Sequence, residues 1–381
     1  MPDCISPDTT REARAPVPVF QQQETVFARG FDILREAIAQ RAFPAASVAI
    51  THEHKLVGLQ AFGHFTYDAG AAPVTSECVF DLASLTKVVA TTAMAMILYE
   101  RGLLDLEAPV AGVVPEFISS AAGDRERRRQ VTMRQLLAHS SGLPAYEKLF
   151  LRATTAEELL AAAFAVPLAA DPGTRAEYSD IGFIVLGLAL ERLADEALDR
   201  FCQREIFGAL GMTHTAFRPP AAWRERIPPT ANDTAFRKRV IQGEVQDENA
   251  SVMRGVAGHA GLFATAEDVA IFADAMFGGS ARLVRRETLA RFTQRETSPA
   301  DSSRALGWDT PSSPSQSGKY FSARAFGHLG YTGTSLWIDP ERKLSVTLLT
   351  NRTWPDCGNQ AIKQVRPRFH DAVVEALGAR S

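Results

Sequence analysis

Phe80-Asp81-Leu82-Ala83-Ser84-Leu85-Thr86-Lys87 reads as a short strand end running into a helix. The helix continues through the apolar and small residues from Val88 to Leu98, reaches Tyr99-Glu100 and stops at Gly102, a usual helix terminator. Ser84 stands near its start and Lys87 follows at i+3, so both side chains share one helix face. A serine hydroxyl is a poor nucleophile until a base takes its proton. A lysine becomes such a base when desolvation or a nearby cation lowers its pKa. A lysine in the first turn of an apolar helix meets the first condition, and the positive helix N-terminus adds to it. Taken alone, Ser-x-x-Lys also fits a capping serine followed by an exposed lysine. This helix has almost no polar face to hold a solvated lysine, which argues for the buried reading.

The surrounding chain can bury such a helix. It has 381 residues, of which 46% are hydrophobic, enough for one large domain or two. A net charge of −3 points to neither nucleic acid nor an anionic membrane surface as a partner. The densest basic run, Asp124-Arg125-Glu126-Arg127-Arg128-Arg129, is short and mixed in sign and reads as a solvated loop. Cys4, Cys78, Cys202 and Cys357 are scattered without paired spacing, so neither a disulfide framework nor a zinc site is implied. No metal or other cofactor is expected. Met1 to Asp8 lacks a basic start followed by an apolar run, so a signal peptide is not expected. Nor does any stretch read as a membrane span. A cytoplasmic protein is the expectation, although a processed mature chain would look the same.

Residues 1–22 read as a flexible arm. Glu24 to Arg41 has helical periodicity. Ser47 to Thr51 and Leu56 to Gly63 read as strands joined by the polar turn His52-Glu53-His54-Lys55. The middle is mainly helical. Thr132 caps one helix, Thr155 opens another with a capping-box pattern, and Ile181 to Ala194 and Asp195 to Leu210 are two more. Thr265 caps a helix ending at Gly278-Gly279. Ser298 to Lys319 is an irregular loop in which Ala305-Leu306-Gly307-Trp308 reads as a short strand. Thr334 to Asp339 and Leu344 to Thr350 form a second hairpin, and Ala361 to Leu377 a terminal helix. The pattern predicts an α+β fold: an antiparallel sheet flanked by helices, from residues 23–102 together with 262–381, and an inserted, mostly helical domain over 103–261. A site between the two is the natural expectation.

Two further stretches carry candidate chemistry. Glu177-Tyr178-Ser179-Asp180 precedes an apolar helix and could be only its cap. Its functional reading sets the Tyr178 phenol beside Ser84 and Lys87, where the lysine charge would hold its pKa down and let it shuttle a proton. Gly327-His328-Leu329-Gly330-Tyr331-Thr332-Gly333-Thr334 puts dense glycines at a strand edge, which suits close approach of a substrate backbone. A tight turn with a solvated histidine is the plainer alternative.

Taken in order, Ser84-Leu85-Thr86-Lys87, Tyr178-Ser179-Asp180 and His328-Leu329-Gly330 resemble the serine β-lactamase and penicillin-binding protein superfamily, in its class C-like branch with esterase and D-peptidase relatives. The resemblance covers roughly residues 25 to 375, and Leu136 to Pro144, Asp247 to Ala250 and Val256 to Phe263 add to it. It implies that Ser84 is the nucleophile, that Lys87 holds or accepts its proton, and that Tyr178 completes the base. It implies an oxyanion hole from the N–H groups of Ser84 and Tyr331, with Asp180, His328 and Gly330 lining the substrate site. Two residues depart from the pattern. Asp180 replaces an asparagine and would pair with Lys87, keeping it charged and moving the base role to Tyr178. His328 replaces a lysine and grips a substrate carboxylate less firmly.

These departures favour a carboxylesterase on short acyl esters with weak β-lactam hydrolysis. A β-lactamase, or a D-aminopeptidase or carboxypeptidase, is the alternative; a non-catalytic binding protein on the same fold, and acyl transfer to an acceptor other than water, stay open. The expected partner is a small-molecule ester or amide; the oligomeric state is not legible. No Gly-x-Ser-x-Gly is present for a nucleophile elbow, and His52-Glu53-His54 lacks the rest of a zinc motif. His259 reads as structural, although the resemblance puts it near the site.

Overall fold

The computed structural model describes residues 17–18, 20–119, 123–277 and 283–378. Cys4, most of the N-terminal arm, Ser120 to Ala122 and Gly278-Gly279 lie outside them. In chain order the strands are β1 (Val17–Pro18), β2 (Ala45–His52), β3 (Lys55–Gly63), β4 (Phe80–Asp81), β5 (Ala216–Phe217), β6 (Ala231–Asp233), β7 (Arg239–Ile241), β8 (Leu262–Ala264), β9 (Phe326–Leu329), β10 (Ser335–Asp339) and β11 (Leu344–Thr350).

The main sheet has the order β1-β3-β2-β11-β10-β9. Both hairpins form as their polar turns dictate, and β2 pairs with β11 from His52↔Leu344 to Ala46↔Thr350. Helices cover both faces, so β2 and β11 read as nearly continuous buried runs rather than polar–apolar alternations. Val48, Ile50, Val346 and Leu348 pack with Phe31, Leu34, Phe369 and Val373 from the helices Ala28–Ala39 and Ile362–Gly378. Ala45, Ala49 and Leu349 point the other way, into a core shared with Val269 and Phe272 of the helix Ala266–Met276. That second core runs on through Val88 to Leu98 and into Leu136, Phe183 and Phe201 of the helical segment. A small sheet, β4-β8-β5, stitches Phe80–Asp81 to both Leu262–Ala264 and Ala216–Phe217.

Several expectations change in detail. Val17 and Pro18, at the end of the expected arm, pair in parallel with Lys55 and Leu56 on an outer edge of the sheet, where proline is tolerated. The basic run is not a solvated loop. Arg125–Arg128 is one helical turn, and Arg128 is buried over the Phe117 ring with its guanidinium on the Phe117 and Val166 carbonyls. Ala305 to Trp308 is a turn rather than a strand, closed by Ala305 N–H on the Trp308 carbonyl, with Gly307 at φ +83. Gly307 is required there, because a Cβ would lie 2.0 Å from Thr92 Oγ1. Thr155 accepts from the Glu158 N–H as a cap should, but Glu158 reaches back to Thr154 instead of closing the capping box. The helix after Phe80–Asp81 is not uniform: Ala83–Leu85 is a 3-10 turn, Lys87–Thr92 a π-helical turn, and only Ala93–Glu100 is α-helical. π-turns often mark functional sites in helices.

Candidate active site

Ser84 lies in the 3-10 turn, just after Ala83 at φ +47, an uncommon conformation for a residue with a Cβ. The buried Asp81 carboxylate holds that turn. One oxygen accepts the Ala83 N–H at 2.8 Å and the other the Gln246 N–H at 2.7 Å. Burial pushes the Asp81 carboxyl up to about 6, against these two hydrogen bonds.

Lys87 is wholly buried. Its Nζ donates to Ser84 Oγ at 3.0 Å, to Asp180 Oδ1 at 2.7 Å and to the His259 carbonyl at 3.0 Å. Three acceptors satisfy an ammonium. If Lys87 loses one proton, the Ser84 contact can reverse while the other two persist, so the amine is set to receive the serine proton. Burial lowers the lysine pKa from its ordinary value, although Asp180 opposes the shift.

Tyr178 donates its hydroxyl to Ser84 Oγ at 2.7 Å. Its ring is walled by the rings of His139 and His328, with centroids at 4.8 Å and 5.9 Å, and has Lys87 Nζ 4.8 Å from its centre. Against expectation, its phenol is pushed well up rather than down. Burial is the first cause and the Asp180 carboxylate the second; the Ser84 hydrogen bond and the Arg304 charge act the other way and do not offset them. Asp180 thus pairs with Lys87 as expected, yet the two shifts run opposite to a transfer of the base role to Tyr178. The polar triplet is also a cap: Ser179 Oγ accepts the Gly182 N–H at 3.0 Å and opens the helix Asp180–Ala194.

The third stretch is the edge strand β9 and the turn that follows it. Gly330 N–H bonds the Thr334 carbonyl at 2.8 Å, and the Thr332 and Thr334 hydroxyls donate to the carbonyls of Asp81 and Leu82 at 2.8 and 2.9 Å. These bonds clamp the turn against the segment entering Ser84. Only glycine fits at 330, since a Cβ would lie 1.9 Å from Thr334 Oγ1 and 2.6 Å from the Leu82 carbonyl oxygen. His328 is not a solvated turn histidine; it is 3% exposed. Its Nδ1 is 2.8 Å from the Leu329 carbonyl, so that nitrogen carries the proton. Burial, Lys87 and Arg304 lower its pKa well below the ordinary value and keep the ring neutral.

Ser84, Tyr178, Asp180, His328, Gly330 and Tyr331 line one cavity of about 750 Å³, with Lys87 buried behind Ser84. His259 lies behind the site, its Nε2 2.8 Å from the Asp247 carboxylate. The loop 298–319 contributes Arg304, Asp309 and Gln316 to the cavity. Sequence reading missed Arg304, Arg352 and Arg366, which also line it. None stands in a motif. Arg304's position beside the Gly307 turn, and Arg352's two residues after β11, are the signals that could have marked two of them. Among the described residues no cluster of three or more His, Cys, Asp or Glu could hold a metal ion, and no helix is long and apolar enough to cross a membrane.

Comparison with known proteins agrees with this geometry. The family model described as Beta-lactamase matches residues 31–366. The chain is 32% identical over 368 residues to an N-acetylmuramyl-L-alanine amidase of Bacillus subtilis (strain 168), covering 87% of this chain and 82% of that protein. It is 29% identical over 358 residues to a putative D-alanyl-D-alanine carboxypeptidase of Salmonella agona (strain SL483), covering 84% and 81%. Among solved structures, EstCE1, a hydrolase with promiscuous acyltransferase activity, superposes with a TM-score of 0.75 at 22% identity, over 92% of this chain and 99% of that one. A beta-lactamase from Sulfitobacter sp. EE-36 superposes at 0.72 with 21% identity, over 94% and 99%. At these identities the two structures speak for the fold alone. The amidase at 32% and the family model over most of the chain go further: the protein belongs to the beta-lactamase family and is a serine hydrolase of the β-lactamase and penicillin-binding protein superfamily.

Proposed function

We propose that the protein cleaves a small amide bonded to an amino acid, by way of an acyl-Ser84 intermediate, and turns over simple esters through the same site. The observation that carries this reading is the position of Ser84 Oγ, 3.0 Å from a buried lysine amine and 2.7 Å from a tyrosine hydroxyl, on the wall of a cavity of small-molecule size. The Lys87 amine takes the Ser84 proton as Oγ attacks the carbonyl carbon. The N–H groups of Ser84 and Tyr331 hold the oxyanion, each worth on the order of 3 kcal/mol of barrier. Tyr178, kept as a phenol, passes a proton to the departing amine or alkoxide and is reprotonated from Lys87. Water then attacks the acyl-enzyme by the same steps in reverse.

Esters were the first expectation from sequence. The curated relatives, named as an amidase and a carboxypeptidase, favour amides of the muramyl-alanine or alanyl-alanine kind. The neutral His328, where β-lactamases carry lysine, argues against efficient β-lactam hydrolysis. The test is to incubate the protein with N-acetylmuramyl-L-alanine, D-alanyl-D-alanine, p-nitrophenyl butyrate and nitrocefin, and to analyse trapped protein by mass. An acyl adduct on the Ser84 peptide with amide turnover is expected. Nitrocefin as the best substrate would move the reading to a β-lactamase, and no adduct with any substrate would leave only a binding protein.

A further inference from the structure

Two stretches singled out in the sequence, Asp247 to Ala250 and Val256 to Phe263, take no part in the reaction steps above, yet they meet behind Lys87. Asp247 Oδ1 accepts the Ala250 N–H at 2.7 Å, capping the helical turn Glu248–Val252, and lies 2.8 Å from His259 Nε2. His259 is 1% exposed and its Nδ1 has no partner, so the ring proton sits on Nε2 and is donated to Asp247. The backbone carbonyl of the same His259 is the third acceptor of Lys87 Nζ, at 3.0 Å. Its neighbours are fastened to the turn that bears the lysine. Thr91 donates to the Gly258 carbonyl at 2.7 Å, and the Leu262 N–H donates to Thr86 Oγ1 at 3.1 Å. Gly258 is wedged against the helix Asp180–Ala194, where a Cβ would lie 2.1 Å from the Phe183 carbonyl oxygen. The circuit closes through Asp81, whose carboxylate takes the N–H groups of Ala83 and of Gln246, the residue before Asp247. Nucleophile and base are therefore joined by a second route besides their own 3.0 Å contact.

We infer that Asp247 and His259 form a positioning pair for Lys87. A neutral Lys87 has two N–H groups, and when these stay on Asp180 and the His259 carbonyl its lone pair is aimed at Ser84. The His259 ring, braced on the Asp247 carboxylate, fixes the direction of that carbonyl and so the aim of the lone pair. The carboxylate also sets a second anion behind the lysine. Burial would raise the Asp247 carboxyl, but His259, the Ala250 N–H and Lys87 hold it below its ordinary value, so its charge is kept. After burial and Asp180, Asp247 favours the charged form of Lys87, while Arg304 favours the neutral one. His139, His328 and Tyr178 complete the titratable surroundings of the amine. Asp247 itself has Asp81, Glu248 and Tyr146 for titratable neighbours. The inference rests on the hydrolase reading above and names the residues that aim and tune its base.

The test is the pH dependence of p-nitrophenyl butyrate hydrolysis in variants of the pair, with rates taken per active site, counted by acyl-adduct mass. Asp247→Asn keeps an oxygen for both donors and removes only the charge. The alkaline rise of its kcat/KM should move lower by about one pH unit, the scale of one nearby charge in a protein interior. His259→Ala keeps the backbone carbonyl but frees it from its brace. Its kcat should fall by about ten-fold with KM little changed, as a misaimed base requires. His259→Gln, whose amide N–H can reach back to Asp247, should recover part of that loss. An unmoved rise in Asp247→Asn, or a wild-type kcat in His259→Ala, overturns the pair, and a lower Tm beside either result leaves it a role in folding alone. Should one variant fail to fold, the other still decides. Lys87→Ala tells the two proposals apart: full activity in it sinks the mechanism, whereas a dead Lys87→Ala beside an unmoved Asp247→Asn profile sinks the pair alone.

Discussion

Gly330→Ala tests whether the clamp on the β9–β10 turn positions the catalytic groups. The added Cβ would lie 2.6 Å from the Leu82 carbonyl oxygen, where ordinary contact begins at 3.4 Å, so the two must part by about 0.8 Å. Leu82 is held by its N–H on the Leu262 carbonyl at 2.9 Å, so the turn is the side that yields. Thr334 must also give way, because its Oγ1 would be 1.9 Å from the new methyl, and its bond to Leu82 is lost. Tyr331 follows Gly330 directly, and its N–H moves with the turn. A displacement approaching 1 Å, or the loss of one oxyanion donor, costs on the order of 10²-fold in rate. Overpacking of this kind costs roughly 1–3 kcal/mol of stability, read as a Tm lower by several degrees. The assay is steady-state hydrolysis of p-nitrophenyl butyrate with a thermal melt. A variant within three-fold of the wild-type kcat and with an unchanged Tm would refute both the clamp and the place of Tyr331 in the oxyanion hole.

Ser84→Ala should abolish turnover and acyl-adduct formation while the circular dichroism spectrum stays that of the wild type; residual wild-type hydrolysis would overturn the nucleophile assignment. Lys87→Ala should lower kcat nearly as far, since residues acting as a unit are not additive, and a barely reduced rate would remove Lys87 as the activating group. Because Lys87 must be neutral to act and its pKa is lowered, kcat/KM should rise with pH and level off below the free-lysine value of 10.5; a profile flat across the alkaline range argues against it. Tyr178→Phe removes the 2.7 Å contact with Ser84 and should cost about 10²-fold in kcat, so an active variant would take the phenol out of the proton path. Asp81, raised to about 6, binds its proton more readily folded than unfolded. Its stabilising contribution is therefore full below the unfolded pKa near 4 and is lost as pH rises through 6. In urea titrations the stability of the wild type relative to Asp81→Asn should rise by about 2 kcal/mol from pH 7 to pH 4, and a constant difference would contradict it.

Both hairpins and the three site stretches were legible because each is written locally, in alternation, caps and glycines. Thr132 shows this well: it caps Met133–Leu137 as expected, accepting the Gln135 N–H, and the structure adds the reciprocal half of a capping box. What could not be read arises from contacts distant in the chain. The π-helical turn at Lys87–Thr92 lies where Thr91 bonds the Gly258 carbonyl and Thr92 meets Gly307. Tyr178 was expected to titrate low beside a cation, but burial and then Asp180, whose orientation toward Lys87 only the fold decides, push it up. Arg304 and Arg366 stand in no motif; packing alone brings them to the cavity.

The pairing of β2 with β11 carries a consequence for synthesis. Residues 45–52 leave the ribosome long before their partners at 344–350, so the central pair of the sheet cannot close until almost the whole chain is made. The helical middle, rich in near neighbours, can collapse first, while contacts of such long separation form slowly. Ser84 and Lys87 are translated early, yet the turn proposed to complete their oxyanion hole comes near the end. A nascent or prematurely terminated chain would hold its nucleophile unarmed, and hydrolysis would begin only once the late strands had docked.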